Sequence, residues 1–514
     1  MESNVSNFFS FTSFLTGLAF LIMAWANMDY KYRLRLYLSK FSKVKMFVAV
    51  VVIGILVLAS DFIIAQNYPI PYTPCAQHIW QLVLALSFFY LTSRWISVSF
   101  LFPAKYNSRN CHKFEKELDN ALKYGQDNKM HGVMDFFKRS ISEIVKFAPR
   151  DFDDNKTLSK KEKCTLHILH LMGNEYFCKI VIKYYPEVVE GIFCEMKRQN
   201  KYDIDVKLFA EHLVTQALLC ENSFIFRETN LLTEIYSNVE LIQKYPELLE
   251  PHHNLTSKWN SEQIHAYAKV LLVTLNTVLK EGCYNPYLYH HFFDIMESSA
   301  RRVGYINGLG SDYFENENYC VYRIVIHFYE ELVQSIAVMN KIKDIHGKYE
   351  EKNEKKDITD IIADSIVKLM SATSQLITPQ ETSRFVRKFE FCGLVLEHKQ
   401  ESTMYDMLIR KICRALYKAF KANDENGTNL LIFCLDCYGL NYTKHASKSI
   451  RLLSRFAVFY ARHHLLKMYN EVSKNRYFKL PDGITIKIKQ KQLRKIFVPD
   501  IYGKTHEEIL NLVG

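Results

Sequence analysis

The residues best suited to chemistry in this chain fall into small, incomplete groups. Cys164, His167 and His170 are spaced by three, with Cys178 beyond. Thiolate and imidazole are the usual ligands of zinc, which needs them to converge tetrahedrally. On a single helix, positions 164 and 170 point about 120° apart, so three ligands there converge poorly. Cys434-Leu-Asp-Cys437 has knuckle spacing but no second pair nearby, and its setting from Leu430 to Leu440 is apolar. We therefore assign no metal and no cofactor from sequence.

His290 and His291 precede Asp294 and Glu297. At i,i+3 or i,i+4 on a helix such residues can share a metal or relay a proton, or simply pair on the surface. Gly304, Gly308 and Gly310 lack the lysine and the preceding strand of a phosphate-binding loop. No Ser/His/Asp or Cys/His set has a local signature. An enzyme, in the form of a hydrolase with a spatially assembled site, is an alternative with only the His290/His291/Asp294 group as a foothold.

Charge is the strongest surface signal. The net charge of +11 is concentrated, because Lys444 to Lys495 carries fourteen Lys or Arg against Glu471 and Asp482. Lys444, Lys448, Arg451 and Arg455 recur at three- to four-residue spacing, which places them on one helix face. Arg462, His463, His464 and Lys467 extend it, and Phe456, Phe459 and Tyr460 supply aromatics. Lys487 and Lys489 alternate with Ile486 and Ile488 and would share a strand face; Lys491, Arg494 and Lys495 follow. Such a face can hold the phosphates of nucleic acid, lie on anionic lipid, dock an acidic protein, or stay solvated.

The elements that must position these groups begin with three apolar runs: Phe8–Ala26, Met46–Ala65 and Ile79–Phe102. Each is about long enough to cross a ~30 Å hydrocarbon core. The expected fold is an α-helical integral membrane protein, with three spans in a membrane domain of residues 1–104. The loop from Met28 to Lys45 holds six basic residues and one acid, whereas Gln66–His78 holds no charge. By the positive-inside rule the loop is cytoplasmic, the N-terminus outside and everything past Phe102 cytoplasmic, at a cell inner (plasma) membrane. Asp61 and Arg94 are charges inside the spans, the first near the outer face and the second nearer the inner one. Their depths differ by roughly 10 Å at the helical rise per residue, which disfavours a direct pair.

The remaining chain is large enough for two domains, expected at residues 105–345 and 357–514. The whole sequence holds only 17 Gly and 12 Pro, and the apolar residues of this remaining part recur at helical spacing, so an all-α body is expected. Ser261–Gly282 reads as one long helix, and Thr378-Pro379-Gln380-Glu381 as a helix start. Lys341–Asp357, with eleven charges in seventeen residues, reads as an exposed linker. The decapeptides Val181–Glu190 and Leu241–Glu250 both contain Tyr-Pro-Glu, where one helix would end and the proline begin the next; paired helical repeats or one turn used twice both explain this. Tyr477–Leu480, Pro481-Asp482-Gly483 and Ile484–Ile488 read as a small β-hairpin. The eleven cysteines outside the outer loop are expected to be free thiols.

Together these point to a membrane-anchored sensor or effector whose helical body binds a signal, a protein partner or a second copy of itself, with membrane lipid around its spans. Bacterial defence effectors share this architecture, although no motif carries the analogy. The alternative is a membrane-tethered nucleic-acid-binding protein using the basic face.

Overall fold

The computed structural model describes residues 11–39, 43–65, 76–101, 104–125, 127–150, 158–227, 230–251, 258–281, 288–306, 311–339, 349–351, 354–376, 402–422, 424–441, 448–474, 480, 483–496 and 507–513. It is mostly helical, and the chain divides into two compact units, Met1–Phe209 and Ala210–Gly514.

The first unit opens with α1 (Phe11–Ala26), which bends by 104° into α2 (Tyr30–Leu38). Then come α3 (Lys43–Ala65) and α4 (Ala76–Ile96), and α4 ends in a π-helical turn at Ser97–Leu101. Among the described residues two helical stretches, Lys45–Ile63 and Ile79–Leu101, are long and apolar enough to cross a membrane; α1 and α2 would have to count as one broken span to make a third. Of the expected first span, Phe11–Ala26 is described and is helical. Alone, the 16 residues of α1 reach only about 24 Å, and residues 8–10 lie outside those described. Phe14, Leu21, Val50, Ile53, Val57 and Leu84 form the shared core of α1, α3 and α4. Their outward faces keep Phe20, Phe47, Ile55, Phe62, Phe89 and Tyr90 exposed, an apolar belt suited to lipid.

Five helices complete the unit: α5 (Cys111–Tyr124), α6 (Asp127–Phe147), α7 (Lys160–Met172), α8 (Glu175–Tyr184) and α9 (Pro186–Arg198). Gly125, in the left-handed region at φ 56°, separates α5 from α6. Ser159 and Glu162 make a reciprocal capping box on α7. The core between these helices is aromatic: Phe114 packs on Phe136 and Phe137, and Phe137 on Phe177. Tyr185 closes α8 by donating its N–H to the Val181 carbonyl, and Pro186 starts α9, as the Tyr-Pro pattern implies.

The chain passes through α10 (Lys207–Leu219) into the second unit. There α11 (Asn230–Tyr236) and α12 (Val239–Lys244) lead to α13 (Ser261–Glu281), whose bounds match the expected long helix. Tyr245 repeats the bond of Tyr185, now to the Leu241 carbonyl, but Pro246 begins only a 3-10 turn, Pro246–Leu249. Next are α14 (Leu288–Ala300), α15 (Glu317–Val338), α16 (Ile358–Ser374), α17 (Thr403–Lys421), α18 (Glu425–Tyr438) and α19 (Lys448–Val472). Buried tyrosines pin them together. The Tyr267 hydroxyl donates to the Leu249 carbonyl, and those of Tyr322 and Tyr329 bond Thr373 and Ser365 of α16. Each polar tip is satisfied, so each ring can be buried without an orphaned hydroxyl. The expected helix start at Thr378 lies outside the described residues.

Among the described residues strands appear in two places. Within the charged segment read as a linker, β1 (Tyr349–Glu351) pairs antiparallel with β2 (Glu354–Lys356). At the C-terminus β3 (Ile484–Lys487), β4 (Gln492–Ile496) and β5 (Glu507–Asn511) form a three-stranded antiparallel sheet. A hairpin closes after Lys487, while the turn expected before Ile484 falls on residues outside those described. Ile488–Gln490 is a 3-10 turn ended by Lys491 at φ 49°, and β3 pairs forward with β4. Gly483 at φ 76° begins β3 where an added Cβ would stand 2.5 Å from the Ile496 carbonyl oxygen. Of the expected first strand, residues 477–479 lie outside those described.

Candidate functional site: the α2 junction

The segment Tyr30–Leu38 carries three of the six basic residues that read as a loop, and it is helical. Leu34, Leu36 and Leu38 are buried along with Arg35, so α2 lies against its surroundings. Its principal neighbour is α6, with the π-turn after α4 beside it. Gly132 of α6 makes the approach possible. An added Cβ there would stand 2.6 Å from the Tyr30 ring and 3.2 Å from the Lys31 backbone.

Arg35 is the centre of the junction and is 5% exposed. Its Nη2 donates to Asp135 Oδ2 of α6 at 2.6 Å and its Nε to the same oxygen at 3.2 Å. Its Nη1 donates to the Ser99 carbonyl in the π-turn at 3.1 Å. A π-turn leaves a carbonyl without its normal helical partner, and here a guanidinium fork supplies one. Arg139 shares the other Asp135 oxygen at 3.4 Å.

Residues of α5 and the turn before it hold the far end of α2. The last carbonyls of a helix have no partner within it. Asn110 Nδ2 donates to the Leu38 carbonyl at 3.2 Å and Lys113 Nζ to the Tyr37 carbonyl at 3.1 Å. From the other end of α2, the Tyr30 hydroxyl donates to Glu117 of α5 at 2.5 Å. Three elements that end, follow or lie far beyond the apolar helices thus converge on nine residues.

A second cluster lies on the same α5. His112 and Glu115, three apart on one face, meet Cys164 and His167, three apart on α7. A nitrogen of His112, an oxygen of Glu115 and Cys164 Sγ lie within 4.8 Å of one another. His167 Nδ1 bonds the Glu115 carboxylate at 2.6 Å. Burial opposes charge on Glu115, but its bonds to His167, Cys164 and His112 outweigh it and hold the carboxyl below its ordinary range. Burial, and then the neighbouring Glu115, push the Cys164 thiol up to about 12.

The structure disperses the other sequence candidates. His170 turns from Cys164 and pairs with Asp205 at 2.9 Å, as its helical offset implies. Cys178 is buried and bonds the Met172 carbonyl. Cys434 is buried in α18, with Cys437 partly so. Glu297 is buried and paired with Lys368 at 2.8 Å, while the side chains of His290 and His291 lie outside the described set. In the apolar bundle Asp61 Oδ2 accepts the Phe11 N–H at 2.6 Å, and Arg94 is exposed in the last turn of α4. Asp61 thus holds α1, not Arg94. Its Oδ1 is buried with no hydrogen-bond partner among the described residues.

The basic face is partly neutralised from within. Lys448 pairs with Asp406 at 2.8 Å and Arg494 with Glu507 at 3.4 Å. Lys495 is buried, donating to the Leu435 and Asp436 carbonyls at the end of α18 beside the Asp436 carboxylate. It is a helix cap, not a surface cation. Arg451, Arg455, Arg462, Lys487, Lys489 and Lys491 are exposed, but Lys489 sits in the 3-10 turn and does not share a strand face with Lys487. Lys444 lies outside the described residues. The chain matches no known protein family, no curated protein and no solved structure.

Proposed function

We propose that this chain is a membrane-anchored sensor or effector, in which the helical body takes up a signal or partner and α2 passes the response to the apolar helices. The observation that carries this reading is the three-way bond of Arg35, which joins α2 to Asp135 of the body and to the π-turn carbonyl of Ser99. An anchor needs only a tether between its helices and its cargo. A nearly buried guanidinium with two partners is costly to desolvate and fixes one arrangement, the use best attested for buried charge. A π-turn at the base of an apolar helix is also a common site of functional adjustment.

In this reading the apolar helices sit in a plasma membrane with lipid against their exposed belt. The basic loop and the body face the cytoplasm, and a protein partner or second copy of the chain is the natural recipient of the movement. The test is membrane potential in cells over-expressing the full chain, beside Arg35→Met, Arg94→Ala and a chain that begins at Lys105. Depolarisation by the full chain that is lost in the shortened chain and altered by Arg35→Met supports the reading. A depolarisation identical in the full chain and Arg35→Met would remove the junction from it, and an unchanged potential in every case would leave the helices as an anchor.

A further inference from the structure

We infer that His112, Glu115 and Cys164 form a site for a divalent transition metal of the zinc class, with His167 as the positioning residue for Glu115. This inference is independent of whether the apolar helices respond to anything. Two helices each contribute an i,i+3 pair, so four side chains of the right chemistry face one another across the α5–α7 contact. The donor set of one thiolate, one imidazole and one carboxylate suits a borderline ion such as Zn2+ and is a poor match for Mg2+ or Ca2+, which prefer oxygen alone.

The geometry is close to what the ion needs. Tetrahedral zinc at bond lengths of about 2.0–2.3 Å sets its ligand atoms roughly 3.3–3.8 Å apart. The three donors lie within 4.8 Å of one another, so closure needs a shift of about an ångström. The mobile partner is available, because the His112 side chain is 68% exposed and can swing, while Cys164 is buried and Glu115 is held by His167. In coordinating, Cys164 gives up its thiol proton to solvent and the sulfur lone pair forms the bond to the metal. A hydrogen bond from a second imidazole to a ligating carboxylate is the usual outer-shell support. Three protein ligands at a solvent-facing site leave the fourth position to water, the arrangement of an exchangeable site and not of a closed structural one.

The site is also placed to matter. Its ligands His112 and Glu115 alternate along α5 with Lys113 and Glu117, which hold α2. A bound ion would cross-link α5 to α7 directly beside the junction.

Cobalt titration of the full chain in detergent, under reducing conditions, tests this, with zinc competition giving the affinity. We expect a sulfur-to-cobalt charge-transfer band and intense visible bands of a tetrahedral ion, displaced by zinc. Cys164→Ser should abolish the charge-transfer band. His112→Ala, on an exposed side chain that the fold does not need, should weaken zinc binding, and His167→Ala should do so by about 10- to 100-fold, as loss of an outer-shell partner typically does. His170→Ala should change nothing, because that ring belongs to Asp205. The inference is overturned if the chain shows no charge-transfer band, if the band survives Cys164→Ser and so comes from another cysteine, or if His112→Ala binds zinc as tightly as the unaltered chain.

Discussion

Removing Asp135 should loosen α2 far more than removing Arg35, although the two form one ion pair. The asymmetry comes from what each change leaves behind. Asp135→Ala strands a guanidinium that is 5% exposed, with the Ser99 carbonyl as its remaining hydrogen-bond partner among the described residues and the Tyr32 ring 5.2 Å away. Breaking a buried pair in this way costs about 3–5 kcal/mol, and we take the lower end because the Asp135 side chain is 30% exposed. Arg35→Met leaves a carboxylate that still reaches water and keeps Arg139 at 3.4 Å. Its cost is the lost bond to the Ser99 carbonyl, about 1 kcal/mol, partly offset by burying an apolar chain in place of a charge. The double variant carries no stranded charge and should resemble Arg35→Met alone. Hydrogen exchange of the α2 amides, measured on the full chain in lipid nanodiscs, reads these differences as opening equilibria. At 1.4 kcal/mol per factor of ten, Asp135→Ala should speed α2 exchange by more than about 100-fold, and Arg35→Met by about fivefold. Adding Arg35→Met to Asp135→Ala should restore most of the protection. The reasoning fails if Asp135→Ala costs no more than Arg35→Met, or if the double variant shows the sum of the two.

Two further outcomes follow from local geometry. Gly132→Ala puts a Cβ 2.6 Å from the Tyr30 ring and 3.2 Å from backbone atoms of Lys31, so α2 must lift from α6 at a cost of about 1–3 kcal/mol; faster α2 exchange checks it, with Gly304→Ala, which meets nothing within 4 Å, as the neutral comparison. At the start of α16, burial works against the Asp357 carboxylate, but bonds from Lys411 and Thr359 overcome it and hold its pKa below the ordinary value. Its contribution to stability is therefore fully present above the unfolded-state pKa of about 3.9 and is lost as pH falls through the lower folded value. Thermal unfolding of the full chain in detergent from pH 6 to pH 3 should show that loss, and Asp357→Asn, which keeps a good helix cap, should flatten the acid side of the curve.

What the sequence made legible is what depends on near neighbours. The helical character, the bounds of α13 and the turn at Tyr185-Pro186 all follow from residues within a few positions of one another. So does the poor convergence of Cys164 and His170, since it rests only on helical rotation. The junction was hidden because it depends on residues far apart. Arg35 and Asp135 are separated by 100 positions, and a basic loop invites reading by charge, although Leu34, Leu36 and Leu38 mark one side of it as apolar. The cluster of His112, Glu115, Cys164 and His167 was hidden for the same reason. Cys164 and His167 needed partners, and His112-Lys-Phe-Glu115 carries the right spacing, but a separation of 52 positions between Glu115 and His167 leaves no local trace. At the C-terminus, Ile484–Lys487 was legible as a strand but its partner was not, because Lys491 in the left-handed region turns the chain forward and no glycine announces that turn.

The contacts of α2 also bear on topology in a way that charge counting does not. Six basic residues between Met28 and Lys45 argue for a cytoplasmic loop, but Arg35 is neutralised by Asp135 and buried, so part of that charge has a structural use. The bonds give a separate constraint. Arg35 lies shortly before α3 and reaches the Ser99 carbonyl just after α4, which brings the start of one apolar helix to the end of the next. If both cross a bilayer they must cross it in opposite directions, so that the end of α3 and the start of α4 meet on the far side. The body that follows α4 then lies on the same side as α2, which Asp135, Asn110 and Lys113 require in any case. Same-sidedness thus rests on hydrogen bonds, and only the choice of which side rests on the distribution of lysine and arginine. The two can be separated by experiment. Cysteine labelling with a membrane-impermeant reagent at residue 70 and at exposed Lys123, in intact cells, should mark the first and spare the second; labelling of both or of neither would break the hairpin that the Arg35 bonds demand, whereas an exchange of the two would preserve the hairpin and refute only the charge rule.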